Sequence, residues 1–310
     1  MVPPSAMFPF KSAFAKPVQF YLDNLRDDAK HLQVIRPVKV AKFKFPVKFV
    51  SSPAVYDQIN LVTDLFTEPA RMKASVYGQP SPMKYWEENE AKIRTYALET
   101  WGKDDVFSLR EAIYFLTKEA TAFSPAISKL LYQTLLPKGG GTVFDPFSGW
   151  GDRAIGAVCC PQVTKYVGVD CNPDLKDGYD QIVKLSDKVT FNQMSITEFK
   201  TDETFDLVFS SPPFWDYEVY NTQDPKQSIT GIKSYSQWFS EFMTPVLHQL
   251  VSLTKKGGYI ALYVGATYRT QSFPDDIWYV LTKEAGCRYV QRIDCSVEDK
   301  RPVPIHVFQK

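Results

Sequence analysis

Two loops in the second half of the chain place chemistry-bearing residues directly after apolar runs. The first is Asp145-Pro146-Phe147-Ser148-Gly149-Trp150-Gly151-Asp152-Arg153, which follows Thr142-Val143-Phe144. Its glycines let the backbone turn tightly and approach a ligand. A helix starting behind it presents free N–H groups. No Gly-Lys-Ser/Thr follows, so this is not a phosphate loop of the P-loop kind. An acid leads the loop, which disfavours a phosphate and suits a cation; the bland alternative is a tight strand-to-helix turn. Asp170 ends the next apolar run, 25 positions after Asp145. An acid at the end of a second strand accepts both hydroxyls of a ribose. Together these features suit a nucleoside with a positive, amino-acid-like tail, and S-adenosylmethionine (SAM) is such a ligand. The second loop is Ser211-Pro212-Pro213-Phe214. Two prolines between an apolar run and two aromatics are an odd way to end a strand.

The segment TVFDPFSGWGDRAIGA resembles the cofactor loop of class I SAM-dependent methyltransferases, above all the amino-methyltransferases that modify DNA bases. Ser211-Pro212-Pro213-Phe214, 66 residues after Asp145, is similar to their catalytic [SND]-P-P-[YFW] tetrapeptide. The resemblance covers residues 120–310 and implies SAM as cofactor. Beyond Asp145, Phe147, Gly149, Gly151 and Asp170, it implies two further cofactor contacts. Ala122-Phe123-Ser124-Pro125 fits the segment that precedes the glycine loop in the gamma-type order, giving Phe123 and Ser124; Ser124 with Pro125 also reads as an ordinary helix start. Ser195, in Asn192-Gln193-Met194-Ser195, stands where an Asp near the adenine amino group is usual. Features around Trp215-Asp216-Tyr217, FSGWGDR and Phe66-Thr67-Glu68 resemble methyltransferase-like proteins of large DNA viruses and some eukaryotes.

The resemblance makes the double proline intelligible. An exocyclic base amine is conjugated with its ring and is a poor nucleophile. An acceptor on each amino proton turns its lone pair toward the methyl donor: the Ser211 hydroxyl supplies one and the Pro212 carbonyl the other. Pro213 helps fix the backbone before substrate arrives. Proline has no N–H, so the loop offers acceptors where acceptors are needed. Phe214 gives the base a stacking face, with Trp215 and Tyr217 behind it, and a base in a duplex must first flip out. Carbon-5 cytosine chemistry needs a Pro-Cys loop here, and the chain has only Cys160-Pro161 in reverse order. Ser at the first position favours cytosine N4 over adenine N6.

These loops need strands to carry them. Short apolar runs at 142–144, 166–169, 189–191, 205–209 and 259–264 alternate with helical segments, including 235–254 with Trp238, Phe242, Val246, Leu250 and Leu253 at helical spacing. Two more strands near 289–295 and 304–309 close the sheet. The pattern predicts an α/β fold: a Rossmann-like class I methyltransferase sheet flanked by helices, ligands at the carboxyl ends of its strands, and an N-terminal α+β extension. The expected division is 1–115 for the extension and 116–310 for the methyltransferase domain.

The 310 residues carry a net charge of +1, so a polyanion site must be local. Nine basic residues against three aspartates give the first 50 positions +6. Lys42-Phe43-Lys44-Phe45-Pro46-Val47-Lys48-Phe49 alternates with period two. Lys42, Lys44 and Lys48 share one face, a track for a phosphate backbone or the wet face of a half-buried strand. Asp64, Glu68 and Arg71 share a helical spacing and read as a solvated face. The five cysteines form no C-x-x-C pair, and neither a metal site nor a disulfide framework is expected. With no long apolar run, an intracellular, soluble protein is expected.

The reading is SAM-dependent methylation of a nucleobase amino group, cytosine N4 in DNA first, with nucleic acid, DNA foremost, as partner. The alternatives are adenine N6 in DNA or RNA, including capped RNA ends; a protein glutamine amide; and a binding subunit that keeps only the fold.

Overall fold

The computed structural model describes residues 7–27, 33–40, 43–49, 53–220, 227–265, 270–295 and 303–310. The N-terminal third runs through α1 (Val18–Arg26), a hairpin of β1 (Gln33–Val40) and β2 (Phe43–Phe49), α2 (Pro53–Arg71), β3 (Ser75–Val76), α3 (Pro82–Trp101) and α4 (Val106–Leu116). The period-two stretch is thus a strand, paired antiparallel with β1. Ser81 caps α3 ahead of Pro82, and Asp105 caps α4, each accepting a first-turn backbone N–H.

Helix α5 (Pro125–Leu135) leads into the sheet. The Ser124 hydroxyl accepts the Ile127 N–H at its start. The sheet strands are β4 (Gly141–Asp145), β5 (Val163–Asp170), β6 (Val189–Gln193), β7 (Phe205–Ser210), β9 (Thr254–Tyr263), β10 (Arg288–Cys295) and β11 (Val303–Gln309). The short β8 (Glu218–Val219) pairs with β3 instead. Helices α6 (Asp152–Val158) and α7 (Lys176–Ile182) follow β4 and β5. Before β9 stand α8 (Tyr235–Trp238), a π-helical turn (Phe239–Met243) and α9 (Thr244–Leu253); α10 (Phe273–Tyr279) comes after it.

The sheet order is β6-β5-β4-β7-β9-β11-β10. β4, β5, β6, β7 and β9 are parallel, and β11 runs antiparallel to both its neighbours. This is the expected α/β sheet covered on both faces. Alternate side chains divide between two cores: Val143, Leu207, Phe209 and Ala261 face one, and Phe144, Val208, Ile260 and Leu262 the other. The first core is filled by α5, α6 and α7, and it also takes Tyr21, Leu22, Val62 and Ala70 from the N-terminal third. The second is filled by the 235–253 helical stretch, where Trp238, Val246, Leu250 and Leu253 are buried as their spacing predicts. The chain moves from β4 out to β6, then returns to place β7 on the other side of β4. That reversal opens a crevice at the carboxyl ends of β4 and β7, where such sheets bind ligands.

No described helix is long and apolar enough to cross a membrane.

Candidate functional site

A cavity of about 530 Å³ lies at that crevice, within the size range of small-molecule sites. The loops after β4, β5, β6 and β7 all line it. So do Tyr77, just after β3, and Thr121 to Phe123, just before α5.

The glycine loop forms one end. Gly149 has φ +54 and Gly151 has φ +93, the left-handed region that other residues enter at a cost. A Cβ on Gly151 would stand 2.7 Å from the tip of the Ile182 side chain, which adds to the strain of its φ for any other residue. Thr67 of α2 donates to the Trp150 carbonyl at 2.8 Å, and Tyr179 of α7 to the Gly149 carbonyl at 2.6 Å. The loop is held from both sides.

Asp170 lines the cavity at the end of β5. Its carboxylate accepts the Gly149 N–H at 2.8 Å and the Asn172 N–H at 3.0 Å, which still leaves lone pairs for two hydroxyls. Burial raises its pKa to about 6, against the pull of those two N–H groups. Phe123, Phe147, Gly149 and Ser195 also stand on the wall.

Three predicted cofactor residues act differently. Ser124 is buried off the wall as the cap of α5. Gly151 shapes the turn without lining the cavity. Asp145 is fully buried off the wall and occupied. Its carboxylate takes Arg153 Nε at 2.7 Å, the Tyr166 hydroxyl at 2.6 Å and the Ser210 hydroxyl at 2.6 Å. The sequence pattern put Asp145 beside a cationic tail; here its charge is paired with Arg153.

The sequence reading missed the acid seven positions on. Asp152 opens α6, is 2% exposed and lines the cavity. Burial raises its pKa to about 7. A signal was present, because the loop carries an acid at each end. Glu218, also on the wall, accepts the Thr121 N–H at 3.0 Å and the Tyr220 hydroxyl at 2.8 Å, and burial raises its pKa too. Arg153 is the one Lys or Arg on the wall among the described residues. Besides Asp145, it donates to the Phe147 carbonyl.

Another part of the wall is aromatic. Ser211, Pro212, Pro213, Phe214, Trp215 and Tyr217 all line the cavity. Phe214 is packed edge-on against Phe273 and Tyr263, with ring centroids 5.6 and 5.7 Å away. Trp215 takes φ +53, a strained value for a bulky residue, which turns the chain sharply after the tetrapeptide. Tyr77, at φ +54, sits edge-on to Tyr217 at 4.3 Å, and its N–H donates to the Tyr217 carbonyl at 3.0 Å. That Tyr77 is presented to the site depends on the β3–β8 pairing.

Lys44 and Lys48 lie on β2, and Lys42 lies outside the described residues. Asp64, Glu68 and Arg71 are not a solvated face: all three are buried and ion-paired with Lys11, Arg110 and Glu119.

No protein-family model and no curated protein matches the chain. Similar solved structures include the N-methyltransferase NodS from Bradyrhizobium japonicum WM9 in complex with S-adenosyl-l-homocysteine. It is 14% identical over 70% of this chain and 98% of that one, with a TM-score of 0.43. A methyltransferase from Pyrococcus furiosus is 16% identical over 72% of this chain and 97% of its own, with a TM-score of 0.42. TrmN from Thermus thermophilus is 17% identical over 60% of this chain and 48% of its own, with a TM-score of 0.40. At these values the roles of residues are assigned from this chain's own chemistry.

Proposed function

We propose that the protein is a SAM-dependent methyltransferase acting on the exocyclic amino group of a nucleobase, cytosine N4 in DNA first. One observation carries this reading: a glycine-formed, acid-rich end and an acceptor-rich, aromatic end share a single cavity. The residues fit the cofactor. Once Arg153 is paired with Asp145, three carboxyls on the wall have no ion pair among the described residues, which suits a ligand bearing a sulfonium and an ammonium. Asp170 has lone pairs for a ribose, and Gly149 brings backbone close to the ligand.

Bound SAM would supply a methyl carbon made electrophilic by its sulfonium; the amine would take that methyl as the S–C pair stays on sulfur, and its surplus proton would pass to solvent. The chain's task is to orient that amine. The Ser211 hydroxyl and Pro212 carbonyl accept its two protons and free its lone pair for attack. Pro212 and Pro213 hold the acceptors in place beforehand, so little reorganisation is left for the reaction. Phe214, braced by Phe273 and Tyr263, offers a rigid face to a planar ring, and Tyr77 with Tyr217 offers a second aromatic wall. The basic first 50 residues, with Lys44 and Lys48 on β2, are the candidate contact to a nucleic-acid backbone. Ser211 favours cytosine; adenine N6 is the second target.

The test is incubation with isotope-labelled SAM and separate pools of DNA, RNA and ribosomal protein, with digestion and mass spectrometry of the product. Labelled N4-methylcytosine from DNA is the expected outcome. Labelled N6-methyladenine would move the target base, labelled methylglutamine would replace the substrate class, and no label in any pool would remove the enzyme.

A further inference from the structure

We propose that the outer face of α4, together with the end of α3, is the contact surface between two copies of this chain. The sequence of α4, Val-Phe-Ser-Leu-Arg-Glu-Ala-Ile-Tyr-Phe-Leu, is apolar on opposite faces. A helix of that kind is normally covered on every side. One face is covered within the chain: Leu109, Ala112 and Ile113 share a buried core with Trp86, Ile93 and Ala97 of α3. The opposite face carries Phe107, Glu111, Tyr114 and Phe115, which stand at i, i+4, i+7 and i+8 and so form one stripe. Phe107, Tyr114 and Phe115 are 47%, 58% and 61% exposed. The stripe continues onto α3. There the Trp101 ring lies 6.1 Å from that of Phe115, and Leu98, one turn earlier, is 50% exposed. Gly102, at φ +70, ends α3 and lets the chain turn back into α4.

Size and charge favour a second copy as the occupant. A whole Phe or Tyr side chain covers roughly 200 Å², so the three rings leave about 300 Å² open, and Leu98, Val106 and Trp101 extend that surface. A homodimer contact covers about 800 Å² per subunit, of which roughly 65% is apolar. The patch approaches that apolar share, and the charged residues around it supply the polar remainder. Those charges are mixed in sign. Arg94 pairs with Asp104 at 2.8 Å and Lys103 with Asp105 at 2.6 Å, while Glu111 and Lys118 flank Tyr114 and Phe115 in the chain. A rim of one sign would repel its own copy, and a basic one would suit a polyanion or an anionic lipid surface. A balanced rim suits a copy of itself. In a two-fold contact the same patch serves both subunits. Tyr114 and Phe115 of one chain then cover Leu98 and Trp101 of the partner subunit, and the reverse, with Glu111 toward the rim. These residues belong to none of the loops that line the cavity, and the inference does not rest on the proposed chemistry.

The test is sedimentation equilibrium of the full chain over a range of concentrations, beside three variants. The wild type should approach twice the mass of one chain as concentration rises. Phe115→Lys puts an ammonium four residues after Glu111, a spacing that suits the helix. Phe115→Lys and Leu98→Lys should each weaken association by at least about 30-fold, the loss expected at an interface anchor. Tyr279→Lys changes a ring on α10 that is 55% exposed, and it should leave association unchanged. Circular dichroism checks that each variant is folded; should Phe115→Lys fail, Leu98→Lys carries the comparison. The proposal is overturned if the wild type is still monomeric at about 100 µM. It is overturned equally if the two patch variants associate as tightly as the wild type, or if Tyr279→Lys disrupts association as much as they do. A wild type that gains mass only when another protein is added would also overturn it, because the occupant would then not be a second copy.

Discussion

The chain buries charge in two neighbouring places and treats it in opposite ways. Between α2 and α4, three acids, Asp64, Glu68 and Glu119, meet three cations, Lys11, Arg71 and Arg110. Glu68 and Arg110 have no exposed side-chain surface at all. Burial pushes the Asp64 and Glu119 carboxyls up, but the guanidiniums of Arg71 and Arg110 more than reverse it and leave both below the ordinary range. Around the cavity, Asp152, Asp170 and Glu218 stand on the wall and Asp145 behind it, and among the described residues the wall's one guanidinium, Arg153, is paired with Asp145. There burial prevails, and Asp152, Asp170 and Glu218 stay above the ordinary range. Where buried charge closes on itself, it specifies how helices pack. Where it is left one-sided around a cavity, it waits for a cation from outside.

The largest effect should come from breaking the closed cluster. Arg110→Ala leaves Glu68 and Glu119 facing each other in a dry interior, and such a loss costs about 3–5 kcal/mol. Urea denaturation followed by circular dichroism should show the midpoint falling with an unchanged slope. A shift under about 1 kcal/mol would mean that water reaches the cluster, and the contrast with the cavity would collapse.

At the aromatic end, Ser211→Ala should lower turnover on the order of 10²–10³, by analogy with the loss of one positioned hydrogen bond in a transition state. Cofactor affinity should change little, because the role proposed for Ser211 is to orient the amine rather than to hold the cofactor. Full activity in the variant would remove the orienting role. Parallel loss of cofactor binding would make the residue structural.

The smallest effect is thermodynamic and has a definite sign. In the ligand-free protein, Asp152 and Asp170 titrate near 7 and 6, against 3.8 for an ordinary aspartate. Below pH 3.8 both states are protonated. As pH rises toward 7, the unfolded chain loses these protons first, so the folded state binds more of them and stability falls. Above about 7 the loss is complete. Asp152→Asn should therefore stabilise the ligand-free protein at pH 8, by on the order of a few kcal/mol and seen as a higher melting temperature, and leave it nearly unchanged at pH 4. A variant less stable than the wild type at pH 8 would show Asp152 to be a structural ion, like those of the closed cluster.

Much of this was legible from sequence because it depends on local rules. Short apolar runs predicted every strand of the main sheet, since central strands covered on both faces must be apolar. The spacing of Trp238, Val246, Leu250 and Leu253 predicted a buried helical face. The π-helical turn at Phe239–Met243 leaves no such signature, and neither does β1. The loops after the strands were legible as well, because glycine and proline restrict the backbone wherever they stand.

Partnership is what the sequence could not determine. Asp64, Glu68 and Arg71 have the spacing of a wet helix face, and only the packing of α4 and the segment at Glu119 against α2 makes them an interior cluster. Asp145 and Asp152 occupy equally plausible positions in one loop. Arg153 lies one residue from Asp152 and eight from Asp145, yet it pairs with the distant acid because α6 turns its side chain back toward the end of β4. Tyr77 enters the site through a two-residue ladder with Glu218 and Val219, 142 positions away in the register pair Val76↔Glu218. Charge and shape at a site depend on which groups tertiary packing satisfies and which it leaves short, and that accounting exists only once the chain is folded.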